Sequence, residues 1–191
     1  MDLTGSRART PNGEHSHRVC RRPEVVLPLS WSPLPYSGCT VSGTDLSQAE
    51  ADALLALPKC RADDREWDYP ASGGSIMVPL VSEDRREQFL LDVSRGRGRV
   101  EISRTKLQNR ARQVIVLVRL EIDGPAHRNP DDSEVPCPHL HLYREGFHDK
   151  WAFPVPPGRF RDLGDAWEAL CDFMSYCNVV EPPAIRRVLF T

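Results

Sequence analysis

The 191-residue chain contains no apolar run approaching the roughly 18 residues that a membrane span requires. Its opening, MDLTGSRARTPNGEHSHRVCRRPE, lacks the apolar core of a secretory signal. These absences predict a cytoplasmic protein with no membrane partner. Cys20, Cys39, Cys60, Cys137, Cys171 and Cys177 include no Cys-x-x-Cys pair, which argues against a zinc ribbon or a thioredoxin-like motif. Reduced thiols are expected, with Cys171 and Cys177 buried on a helix. There is no internal repeat and no phosphate-binding glycine loop of the nucleoside-triphosphate type. The net charge of −2 shows no global excess of one sign, so any polyanion site must come from local segregation.

What is present is enough apolar material, 40% of residues, for one domain with a real core. Residues 1–43 are rich in Pro, Ser, Gly and Arg without periodicity, and read as a disordered tail or as translation begun too early. Residues 44–191 are expected to form a single α+β domain. Ser47 and Glu50 make a capping box before Leu54, Leu55 and Leu57, which predicts a short helix stopped by Pro58. SIMVPLV, EQFLLDVSR, GRVEISRTK, QVIVLVRLEID and HLHLYRE then predict about five antiparallel strands. In RDLGDAWEALCDFMSYC the apolar residues recur at helical spacing, so an amphipathic C-terminal helix should pack, with the N-terminal one, on one face of the sheet. PPAIRRVLF suggests an edge strand or an extended tail.

The segment HRNPDDSEVPCPHLHLY holds His127, His139 and His141, three of the chain's six histidines. Alternation along a strand puts His139, His141 and Tyr143 on one face and Leu140 and Leu142 on the other, which places the imidazoles on the open face of the sheet. On the preceding strand, Val114, Val116, Val118, Leu120 and Ile122 form the expected core set, leaving Arg119, Glu121 and Asp123 opposite. If the strands pair, Arg119 and Glu121 share the histidine face. The connection from Gly124 to Pro138 is long for a hairpin, and its four prolines favour a shaped loop that folds His127 over His139 and His141.

Two or three imidazoles titrating near neutrality suit general acid–base catalysis, with Arg119 as the cation for an anionic transition state. The same histidines with Asp131 offer enough nitrogen and oxygen donors for one divalent metal, although no motif demands a cofactor. Asn129, Asp131 and Tyr143 complete the substrate-contact set. From Arg95 to Arg119 the chain carries eight basic residues against Glu101 alone. Arg97, Arg99, Arg110 and Arg112 are therefore candidate phosphate contacts for RNA.

The motif Asp-Gly-Pro-x-His-x-Asn-Pro-Asp followed by His-x-His-x-Tyr-x-Glu-Gly resembles that of a family of uncharacterised bacterial proteins, over about residues 45–190. More distantly, Asp123, Pro125, His127, Pro138, His139 and His141 resemble the histidine segments of the TumE-like toxins of toxin-antitoxin pairs. Gly124 replaces an Asn of that pattern, and His-x-His replaces His-x-x-His. The toxin resemblance implies a ribonuclease held by a cognate protein. A non-catalytic, antitoxin-like or phage-associated protein docking an acidic partner is the alternative, and a metal-dependent hydrolase is another.

Overall fold

A computed structural model describes residues 45–96 and 105–187. The chain order is α1 (Gln48–Ala56), β1 (Lys59–Arg61), β2 (Glu66–Asp68), β3 (Ser75–Ser82), β4 (Gln88–Arg95), β5 (Thr105–Ala111) and β6 (Ile115–Ile122). It continues with β7 (His127–Arg128), β8 (Glu134–Val135), β9 (His139–Arg144), β10 (His148–Pro154), α2 (Ala166–Tyr176), β11 (Val179–Glu181) and β12 (Ala184–Arg186). The main sheet has eight strands in the order β10-β9-β6-β5-β4-β3-β1-β11, antiparallel except where β11 joins β1. The pairs β12-β2 and β7-β8 form separate two-stranded sheets. The class is α+β as expected, with more strands than the five that the sequence pattern distinguishes.

Both helices begin where side chains satisfy the free N–H groups of the first turn. Ser47 and Glu50 form the reciprocal capping box of α1, and the Asp165 carboxylate accepts from Trp167 and Glu168 at the start of α2. Leu54 of α1 and Leu170 and Phe173 of α2 join Leu91, Leu107, Leu120 and Leu140 in one buried cluster, so the helices supply the apolar cover of the sheet.

The helix ends converge on Lys59, a fully buried side chain. Its ammonium donates to the carbonyls of Leu55, Leu57 and Cys177 at 2.9, 3.0 and 2.9 Å, where the two helices present their electronegative ends. Burial pulls its pKa down to about 8. Asn178, in the left-handed region at φ 56°, ends α2 and donates its side-chain amide to Ala56.

The strand pattern departs from expectation in places. The alternation predicted for β6 breaks because Asn109 pairs with Val118 and Arg110 with Val116, which leaves Leu117 as the extra residue of a bulge. Ile115 and Leu117 point inward before the bulge, and Val118, Leu120 and Ile122 after it, whereas Val114 is exposed. Thr105 and Lys106, at the end of GRVEISRTK, open the described part of β5, the rest of that segment lies outside the described residues, and Arg112 lies beyond the end of β5 with φ 49°. The segment HDKWAFP, which the strand patterns did not distinguish, forms edge strand β10. The PPAIRRVLF segment contributes β12, parallel to β2. The readings of residues 1–43 and of Arg97 and Arg99 lie outside the described residues.

Candidate metal centre

The site is built by β6, β9, β10 and the loop between β6 and β9. The register sets Arg119 opposite His141 and Glu121 opposite His139, on the sheet face away from the helices. That face is not open here. His139 and His141 are 1% and 0% exposed, because the loop folds back and packs His127 over them. The correction has a physical cause: β10 extends the sheet past β9, and the loop bonds to its outer edge.

Asn129 makes that attachment. Its side-chain amide donates to the Ala152 carbonyl at 3.1 Å and accepts from the Ala152 N–H at 2.8 Å, as a neighbouring strand would. Asp131 is not among the clustered ligand groups and accepts from the Ser133 N–H and hydroxyl, an Asx-type turn that shapes the β7-β8 hairpin. These bonds hold the Asp131 carboxyl below the usual carboxylate range. Both residues therefore build the loop.

The three imidazoles form one cluster. Ring centroids lie 4.5 Å apart for His127 and His141, 5.0 Å for His139 and His141, and 5.8 Å for His127 and His139. One nitrogen from each ring falls in a set whose members are within 4.8 Å of one another.

Each ring also has one nitrogen against a backbone carbonyl. His141 Nδ1 is 2.9 Å from the Asp149 oxygen, His139 Nδ1 is 3.3 Å from that of Pro136, and His127 Nε2 is 2.9 Å from that of Lys150. A carbonyl only accepts, so the proton sits on the bonded nitrogen and the other nitrogen keeps its lone pair. Nε2 of His139 and of His141 are buried without a hydrogen-bond partner. Desolvation is the main cause that lowers both pKa values, that of His141 to about 4.

Glu121 completes the surroundings, with its carboxylate oxygens 3.8 Å from His139 Nε2 and 3.9 Å from His141 Nε2. Arg119 Nε lies 2.9 Å from the same carboxylate, and its guanidinium also pairs with Asp149. The cation expected to face substrate is thus engaged by two carboxylates. Arg110 grips Asp92 and Arg112 pairs with Glu87. The Tyr143 hydroxyl donates to the Leu46 carbonyl and accepts from the Leu46 N–H, so it anchors the chain before α1. Glu121, on the histidine face by strand alternation, was given no role from sequence, and the carbonyls of Pro136, Asp149 and Lys150 leave no sequence signal.

A family model described as "Family of unknown function (DUF6978)" matches residues 46–179, and the chain belongs to that family. No curated protein and no solved structure matches the chain. No helix among the described residues is long and apolar enough to cross a membrane.

Proposed function

We propose that this chain is a divalent-metal-binding protein in which His127, His139 and His141 hold one transition-metal ion of the zinc class. The observation that carries this reading is the pair of buried, unpartnered Nε2 lone pairs, on rings whose opposite N–H groups are fixed by carbonyls. Protein-fixed tautomers with converging lone pairs are what metal-ligating histidines use. Leaving such atoms buried and unmatched is otherwise unfavourable. An acid–base nuclease fits less well, because a general acid must hold a proton near neutral pH and burial keeps His141 neutral down to about 4.

The test is metal analysis of protein purified without a histidine tag and offered zinc, cobalt or nickel. One ion per chain is expected in the wild type, and none in a His139→Ala, His141→Ala variant that keeps its far-ultraviolet circular dichroism. Failure of the folded wild type to take up any of the three ions overturns the reading.

RNA is the second reading, favoured by a shallow groove that brings Arg95 and Lys106 together with Ser75 and Ser94. Phosphate binding there predicts RNA affinity that falls steeply with salt. Growth arrest with RNA breakdown on expression of the wild type, lost in the double histidine variant, would join that reading to the metal site.

A further inference from the structure

The metal reading leaves open what occupies the fourth position, and resting on that reading, we propose that Glu121 is the fourth ligand. The site then closes around the ion with four protein donors and fastens the Gly124–Pro138 loop to the sheet, instead of presenting a water for hydrolysis.

Glu121 is adjacent to His139 in the register and near both orphaned nitrogens at once, through different oxygens. Bond lengths of about 2.0–2.2 Å to nitrogen and oxygen make each edge of a tetrahedral zinc site about 3.4 Å. One carboxylate oxygen lies 3.8 Å from His139 Nε2 and the other 3.9 Å from His141 Nε2, each about half an ångström beyond that edge, so ligation through a single oxygen requires the carboxylate to swing toward both nitrogens. No comparable acid approaches from the loop, where Asp131 is committed to Ser133. The only metal-ligating cluster of at least three side chains among the described residues is the histidine set that Glu121 abuts.

The donor atoms of His139 and His141 have essentially no exposed area, while His127 is half-buried and the Glu121 side chain is 30% exposed, so solvent reaches the ion position only from the side that the carboxylate would fill. The donors come from different parts of the chain: Glu121 from β6, His139 and His141 from β9, and His127 from the loop between them. A bound ion would therefore clip the loop across the two strands.

Arg119 is a positioning residue in this arrangement. It contacts Glu121 and Asp149, while the Asp149 carbonyl accepts from His141 Nδ1, so one guanidinium orients the carboxylate ligand beside a strand that orients an imidazole.

The experiment loads tag-free wild type, Glu121→Gln and Arg119→Lys with cobalt(II), and reads the visible absorption before and after added azide. Affinity is measured in parallel by competition with a chromophoric chelator, and folding by thermal unfolding in chelator. The wild type should give an intense four-coordinate spectrum that azide leaves unchanged. Glu121→Gln should bind at least about tenfold more weakly and acquire an azide-sensitive spectrum, and Arg119→Lys should weaken binding about tenfold with a shifted spectrum.

An azide-sensitive wild-type spectrum, or equal affinity and spectra in Glu121→Gln and wild type, would overturn Glu121 as ligand while leaving the three-histidine reading standing. Absence of cobalt, zinc and nickel binding by the folded wild type would overturn both. Should Glu121→Gln not fold, the azide response of the wild type decides alone.

Discussion

Two buried polar centres of the sheet are finished differently. At the helix ends, the Lys59 ammonium has three donors and meets three carbonyls, so the centre is complete in itself. At the opposite side, His139 and His141 each spend one nitrogen on a carbonyl and keep the other unmatched. Equal burial therefore does not mean equal purpose. A saturated centre holds elements together, whereas the unsaturated one is, on our proposal, prepared for a cation.

The sharpest way to break that contrast is to add metal. Ligand binding to the folded state alone stabilises by about 4 kcal/mol at a free concentration of a thousand times Kd. Zinc should raise the thermal midpoint of wild type accordingly and leave the His139→Ala, His141→Ala variant unchanged. A shift of equal size in both would remove the histidine centre from the account.

Acid should separate the centres next. His141 is held neutral to about pH 4 when folded, while an unfolded histidine protonates near 6.5, so between these values the unfolded state binds more protons. Stability of metal-free protein should therefore fall as pH drops from about 6.5 to about 4, by about 3 kcal/mol from this residue. His139, also lowered, acts in the same direction. Urea unfolding at several pH values measures the slope, and replacing both histidines should flatten it.

Lys59→Met should cost about 2 kcal/mol, since three buried carbonyls lose their donor. Metal uptake should be unaltered. If the loss of stability came with loss of metal, the two centres would not be separable.

The smallest effect is expected at the loop. Asn129→Ala removes the side chain that pairs with Ala152, at about 1 kcal/mol. Hydrogen exchange should rise at the Ala152 amide and across β7 and β8, and bound zinc should recover part of the protection. Unchanged exchange would show that the loop is held without this edge contact.

Much of the sheet was legible because local chemistry and final environment agree. Ser47 and Glu50 announce α1, Leu170, Phe173 and Met174 of the apolar face expected for α2 are buried, and strand alternation placed Arg119 and Glu121 on the histidine face. The β6 bulge escaped because a single extra residue inverts alternation without altering composition. Strand β10 was hidden by its short, mixed pattern, which becomes a strand through pairing with β9.

The sequence by itself determined the α+β class, the helix start at Ser47, and the concentration of His127, His139 and His141 around one long loop, since these rest on local propensity and spacing. Only the tertiary structure decided that His139 and His141 are buried, that each of the three tautomers is fixed by a backbone carbonyl, and that Glu121 stands beside the rings while Asp131 bonds to Ser133. The physical reason is that desolvation and hydrogen-bond geometry depend on what the rest of the chain brings within a few ångströms, and no local pattern encodes that neighbourhood.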